Sequence, residues 1–160
     1  MTDPITAKGR RWQLADEAAT ARFAKDFGRV LRAPLVINLQ GELGAGKTTF
    51  ARALIQGLGY PGRVKSPTYG LLESYKAGGI DFLHLDLYRI QDPRELEFLA
   101  IPDQFTDRGV LLVEWPEKAG SILPSADICM KFKEMGFGRQ LEIQPNSAMG
   151  LELIEHLPPA

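Results

Sequence analysis

The chain has 160 residues and a formal net charge of −1, with 44% hydrophobic and 24% charged residues. These values fit one soluble globular domain over 1–160 with its own core, and we expect 1–9 and 145–160 to be peripheral. The near-neutral charge disfavours a protein that grips nucleic acid through a basic surface. No apolar run approaches the roughly 20 residues of a membrane span, and 1–9 lack the apolar core of a secretion signal, so we expect a cytoplasmic protein.

Extended runs and helical segments alternate along the chain. Asp16 is a candidate N-cap for the first helix, a second follows the glycine-rich stretch that ends at Thr48, and two more are predicted at Pro93–Leu99 and Ala148–Leu157. The predicted strands are Trp12–Leu14, Leu35–Leu39, a run through Tyr75, Ile80–Tyr88, Val110–Val113, Asp127–Phe132 and Arg139–Ile143. Glycine-containing turns join two pairs of these strands as β-hairpins. The order predicts an α/β domain with a central sheet of mixed parallel and antiparallel strands, flanked by helices.

The stretch Gly41–Thr48 matches the phosphate-binding pattern G-x-x-x-x-G-K-[ST] at every fixed position. It lies between an apolar strand and a helix, where glycines let successive backbone N–H groups point at phosphate oxygens. Lys47 is then expected to reach the β- and γ-phosphates, and the hydroxyl of Thr48 is expected to bind Mg²⁺. The pattern therefore predicts a P-loop NTPase-like domain that binds a nucleoside triphosphate.

Two acidic residues are candidates for the carboxylate that holds Mg²⁺ beside a P-loop. Glu114 directly follows the apolar run Val110–Val113, and Asp86 lies within Ile80–Tyr88, where alternation places it on the same face as His84. We interpret Glu114 as the metal-site acid and Asp86 as an active-site acid. For His84 we favour a structural role, hydrogen-bonded towards its hairpin partner.

Other features of the chain narrow the class of NTPase. The segment Ser66–Tyr69 holds either a hydroxyl that senses the γ-phosphate or Mg²⁺, or a Ser-Pro turn that opens a strand, and the sequence leaves both open. No guanine-reading N-K-x-D pattern and no coupling signature of a transporter or helicase follows the P-loop. A small-molecule kinase stays open as an alternative, as does a nucleotide-dependent interaction module that does not hydrolyse ATP.

Four motifs occur in the order and spacing of the TsaE (YjeE) family: Gly41–Thr49, Ser66–Tyr69, His84–Arg89 and Val113–Glu117. Over residues 12–144 the chain closely resembles that family, whose members are bacterial ATPases required for threonylcarbamoyladenosine modification of tRNA. The resemblance implies ATP and Mg²⁺ as ligands, and TsaD and TsaB as partners whose turnover is supported by ATP hydrolysis. It also implies that tRNA is reached only indirectly, through that complex.

The same resemblance implies roles for individual residues. Thr48 and Glu114 look like the Mg²⁺ ligands, and Asp86 looks like the residue needed for hydrolysis. Glu17 resembles the position that meets the base or ribose, and Arg139 resembles a second nucleotide contact. The expected catalytic residues are Lys47, Asp86 and Glu114. The residues expected to contact the nucleotide are Glu17, Gly41, Glu42, Leu43, Gly44, Ala45, Gly46, Lys47, Thr48, Thr49 and Arg139.

Overall fold

Seven strands form one sheet in the computed structural model of the chain, which describes residues 9–67 and 70–159. The strands are β1 (Arg10–Leu14), β2 (Leu35–Gln40), β3 (Leu72–Ala77), β4 (Ile80–Asp86), β5 (Gly109–Glu114), β6 (Ile128–Met135) and β7 (Gly138–Pro145). Their order across the sheet is β1-β7-β6-β2-β5-β4-β3. All seven predicted strands are confirmed, although β4 ends at Asp86, two residues before the predicted end.

The sheet contains both parallel and antiparallel pairs of strands. β2 is parallel to β5 and β6, and β4 is parallel to β5, whereas β3–β4, β6–β7 and β1–β7 are antiparallel. The predicted mixed sheet is therefore confirmed. In the register of the central strands, Glu114 pairs with Leu39 of β2 on one side and with Asp86 of β4 on the other. The carboxyl ends of three parallel strands therefore meet at one edge, where α/β sheets bind their ligands.

Over residues 9–67 and 70–159, four α-helices and two 3₁₀ helices cover the sheet. The α-helices are α1 (Glu17–Val30), α2 (Lys47–Gly57), α3 (Ile101–Gln104) and α4 (Ala148–Glu155), and the 3₁₀ helices span Pro93–Leu99 and Pro116–Ala119. The predicted N-cap is confirmed, because the side chain of Asp16 accepts a hydrogen bond from Ala19 N at 2.8 Å. No helix in 9–67 and 70–159 has the length and apolar composition that crossing a bilayer requires.

Two hydrophobic clusters lie on opposite faces of the sheet, because successive strand side chains point to opposite sides. The larger packs α1, α2 and α4 against one face, and the smaller packs α3 and both 3₁₀ helices against the other. The segment from 145 onwards was expected to be peripheral. Instead, Leu153, Ile154 and Leu157 are buried in the larger cluster. An apolar face repeated at three- and four-residue spacing gives α4 this place in the core.

Candidate nucleotide-binding site

The glycine-rich loop leaves β2 and enters α2 at the ligand-binding edge of the sheet. Gly41, Gly44 and Gly46 all have positive φ angles, of 145°, 79° and 114°, which a residue with a Cβ adopts only with strain. At Gly41 a Cβ would also lie 2.5 Å from the carbonyl oxygen of Phe132 in β6. Glycine is therefore required at Gly41 both for the turn and for the close approach of the loop to β6.

Lys47, the first residue of α2, is turned back into the loop. Its side chain is almost wholly buried, and its Nζ donates a hydrogen bond to the carbonyl oxygen of Gly41 at 2.6 Å. The same Nζ lies 3.7 Å from the ring centroid of Trp115, a cation–π distance. Trp115 itself has a positive φ of 59° at the end of β5. The loop and the residue after β5 together hold the ammonium group within the site.

The surroundings of Lys47 have two opposing effects on its pKa. Burial lowers the pKa of Lys47 below its ordinary value, and the nearby carboxylates of Glu114, Asp86, Glu117 and Glu42 oppose that shift. Four acidic groups therefore act on one lysine. Such an excess of carboxylates suits a site that receives a divalent cation.

Thr48 and Glu114 are joined directly, although they are 66 residues apart in the sequence. The Thr48 hydroxyl lies 2.9 and 3.0 Å from the two carboxylate oxygens of Glu114. Glu114 is 2% exposed, and its Oε2 also lies 2.6 Å from Nε2 of His84. The expectation that His84 faces its hairpin partner is wrong: the imidazole contacts a side chain of β5, because β4 has β3 on one side and β5 on the other.

Asp86 ends β4 beside Glu114. Its side chain is 6% exposed, and its Oδ1 accepts a hydrogen bond from Tyr88 N at 3.0 Å. A cavity of about 160 Å³ opens at this edge of the sheet. It is lined by Leu43, Gly44, Gly46, Lys47, Thr48, Thr49, Asp86, Glu114 and Trp115. The structure therefore brings the three predicted catalytic residues to one cavity with most of the P-loop.

Glu17 and Arg139, which are far apart in the sequence, border a common cavity beside the P-loop. A second cavity of about 50 Å³ is lined by Asp16, Glu17, Thr20, Gly46, Thr49, Phe137, Gly138 and Arg139. Gly46 and Thr49 line both cavities. Arg139 Nη2 donates to the carbonyl oxygen of Gly44 at 3.1 Å, so the β6–β7 hairpin is tied to the P-loop.

Comparison with known proteins decides the family. The family model for "Threonylcarbamoyl adenosine biosynthesis protein TsaE" matches residues 14–141. The chain belongs to the TsaE family. The "tRNA threonylcarbamoyladenosine biosynthesis protein TsaE" of Haemophilus influenzae is 41% identical over 146 residues, which cover 88% of this chain and 92% of that protein. The Bacillus subtilis protein of the same name is 34% identical over 129 residues, 81% of this chain and 80% of that one.

A solved structure has the same fold. The crystal structure of Bacillus subtilis YdiB matches this fold with a TM-score of 0.77 and 26% sequence identity, over 94% of each chain. The single α/β domain predicted from sequence is confirmed by this match and by the seven-stranded sheet.

Two aromatic residues at the site were not predicted to contribute to it. The ring of Trp115 lies over Lys47 because of the turn after β5. The sequence showed only that a Trp follows the acid at the end of that strand. Phe137 is fully exposed beside the cavity that Glu17 and Arg139 share. In the sequence, Phe137 was visible only as an aromatic residue between two glycines at a hairpin turn. The motif segment Ser66–Tyr69 is described only as far as Pro67, since Thr68 and Tyr69 lie outside the described residues.

The residues present fit a magnesium ion. Mg²⁺ prefers oxygen ligands and is usually held by one or two protein groups together with substrate phosphates and water. The Thr48 hydroxyl and the Glu114 carboxylate are such oxygens, and both line the larger cavity. Within the described parts of the chain there is no cluster of three or more His, Cys, Asp or Glu that could hold a metal. The two oxygen ligands of Thr48 and Glu114 suit a metal that arrives with a nucleotide, whose phosphates supply further ligands.

Proposed function

We propose that this protein binds and hydrolyses Mg²⁺–ATP, and that it thereby supports turnover of a TsaD–TsaB complex in threonylcarbamoyladenosine modification of tRNA. Membership of the TsaE family supports the pathway. The observation that carries the chemistry is the contact between Thr48 and Glu114, which joins the P-loop helix to a buried acid at the end of the neighbouring parallel strand. In this scheme tRNA is reached only through the complex, and the protein acts in the cytoplasm.

Phosphate binding is assigned to the loop and its lysine. The backbone N–H groups at the start of α2 and the positive end of that helix favour an anion. Lys47 would leave the Gly41 carbonyl and neutralise phosphate charge, since phosphoryl transfer is catalysed mainly by positioning and charge stabilisation.

The Thr48 hydroxyl and Glu114 are assigned to Mg²⁺. When bound, the metal would neutralise charge on the phosphates as they react. Because the Thr48 proton is directed to Glu114, the oxygen lone pairs of Thr48 are free to face the metal. Glu114 thus orients the hydroxyl and supplies the negative charge that balances the cation.

Asp86 is assigned to the attacking water. It is the second carboxylate of the larger cavity, and the Tyr88 amide holds its Oδ1. A carboxylate fixed in this way can orient a water molecule and accept its proton. Glu17 and Arg139 are assigned to the nucleoside, because their shared cavity adjoins the P-loop at Gly46 and Thr49.

The test is Mg²⁺–ATP turnover by the protein alone and with a purified TsaD–TsaB pair. We expect slow turnover alone and faster turnover with the pair, because a partner that supplies further charge to the site can accelerate hydrolysis strongly. A rate that the pair does not change would contradict the pathway role. ADP formation that requires a metabolite hydroxyl would indicate a small-molecule kinase, and tight binding without hydrolysis in either case would indicate a nucleotide-dependent interaction module.

A further inference from the structure

The imidazole of His84 is buried beneath the larger cavity without reaching it. The side chain is 0% exposed, and Nε2 lies 2.6 Å from Oε2 of Glu114. Nδ1 is the only buried side-chain nitrogen or oxygen in 9–67 and 70–159 that has no hydrogen-bond partner. Leaving a buried polar atom unpaired costs free energy, so a purely structural histidine is poorly placed here. Its single polar contact is with Glu114.

The register of the sheet fixes this contact. His84 is paired with Leu112 of β5, and Glu114 lies two residues further along the same strand. The period of two places Leu112, Glu114, His84 and Asp86 on the sheet face that α2 covers. Two adjacent parallel strands in the middle of the sheet therefore hold the imidazole and the carboxylate together, and neither side chain depends on a loop for its position.

Two side chains, Thr48 and His84, lie within hydrogen-bond distance of Glu114. An ionised carboxylate only accepts hydrogen bonds, so with Glu114 ionised the donor in this contact is Nε2 of His84. Glu114 then accepts one hydrogen bond from His84 and one from Thr48. Two partners from different elements leave the carboxylate little freedom to rotate. The Thr48 hydroxyl is thereby held with its lone pairs directed away from Glu114.

We propose that His84 is a positioning residue that fixes Glu114, so that Thr48 and Glu114 are already arranged for Mg²⁺ before the metal binds. The inference rests on the proposed function, because it concerns the same metal site. Outer partners of metal ligands usually set metal affinity in this way, and their loss costs about 10- to 100-fold in affinity or activity.

Two substitutions of His84 distinguish a positioning role of the imidazole from a packing role. His84→Leu keeps a similar apolar volume and removes the donor, whereas His84→Gln keeps an N–H near the position of Nε2. The measurement is Mg²⁺ titration of the binding of a fluorescent ADP analogue, with binding without metal as the reference. We expect His84→Leu to raise the half-saturating Mg²⁺ concentration at least about tenfold, His84→Gln to restore most of it, and metal-free binding to stay unchanged.

The outcomes distinguish this inference from the proposed function. If the wild-type protein binds the analogue without any response to Mg²⁺, the proposed metal site fails and this inference fails with it. If the wild-type response is normal and His84→Leu gives the same titration, only the role of His84 is overturned. Equal losses in the Leu and Gln variants would also overturn it, because they would indicate a packing effect.

A second measurement leaves His84 itself unsubstituted. The chain has two histidines, so nitrogen-15 NMR of the wild-type protein can assign the imidazole of His84 with His156→Gln as the reference. We expect a hydrogen-bonded proton on Nε2. A proton on Nδ1 with a bare Nε2 would overturn the inference, because Glu114 would then be the donor.

Discussion

The hydroxyl of Thr48 lies within 3.0 Å of both carboxylate oxygens of Glu114, across 66 residues of sequence. The contact follows from the sheet. β2 and β5 are parallel neighbours with Leu39 paired to Glu114, so the loop that leaves β2 brings the first turn of α2 over the end of β5. Thr48 is therefore held at the buried acid before any ligand binds.

Removing the Thr48 hydroxyl should weaken the response to Mg²⁺. Thr48→Val keeps the shape of the side chain but leaves Glu114 without one of its donors, and the metal without an oxygen ligand. Thr48→Ser keeps the hydroxyl and is the matched control. Isothermal titration with ADP at several Mg²⁺ concentrations should show the metal dependence lost in the Val variant and kept in the Ser variant. Identical titrations for the two variants would contradict the assignment of Thr48.

Replacing Lys47 should weaken nucleotide binding without lowering the free energy of unfolding. Lys47→Met removes a charged phosphate contact, so nucleotide binding should weaken by about 1.5–3 kcal/mol. The free energy of unfolding should not fall, because burial disfavours the ammonium, as its lowered pKa indicates. Calorimetric titration and urea unfolding measure the two quantities. The exposed Lys76 provides a control, Lys76→Met, that should change neither. Undiminished affinity in Lys47→Met would count against the phosphate site.

Asp86→Asn should spare nucleotide binding and abolish hydrolysis. The amide can still accept a hydrogen bond from Tyr88 N but cannot take a proton from water. Single-turnover ATP hydrolysis, with binding measured in parallel, checks both parts. Asp81→Asn, at the opposite end of β4, is the matched control and should retain turnover. Full hydrolysis by the Asp86 variant would remove this residue from the mechanism.

The carboxy-terminal helix should contribute to stability. Leu153 is buried in the larger core cluster, so Leu153→Ala should lower the free energy of unfolding by about 2–5 kcal/mol. Glu152 is exposed on the same helix, and Glu152→Ala should have little effect. Urea unfolding compares them. Equal stabilities of the two variants would mean that α4 does not pack on the sheet in solution.

Tyr75 should make stability fall at alkaline pH. Its hydroxyl accepts a hydrogen bond from Lys65 N at 2.8 Å, and burial raises its pKa above the ordinary 10.0. A raised pKa in the folded state stabilises the protein below pH 10.0, and that contribution is lost as the pH rises through the folded pKa. Tyr75→Phe should lower the free energy of unfolding by about 1 kcal/mol at neutral pH. The free energy of unfolding is measured against pH for the wild-type protein and for Tyr75→Phe. The difference between the two free energies should shrink above pH 10.0. A difference that stays constant would contradict this.

Local patterns predicted much of the fold and of the candidate site. Alternation in β4 correctly placed Asp86 and His84 on one face, since strand side chains alternate whatever the neighbouring strands are. The same pattern could not show which neighbour His84 contacts, because β4 has one on each side. It was expected to face β3, and it contacts Glu114 on β5. The burial of α4 was missed for a similar reason, because an apolar helix face does not say which surface it covers.

The sequence by itself determined the P-loop, its flanking strand and helix, and the acid that ends β5. These features are contiguous, and their chemistry depends on glycine backbone freedom and on residue type within a few positions. Only the tertiary structure decided that Thr48 and His84 meet on Glu114, and that Arg139 bonds to Gly44 beside Glu17. Those contacts join segments far apart in the chain. They depend on the order of strands that are distant in the sequence, which is decided when the two hydrophobic clusters pack.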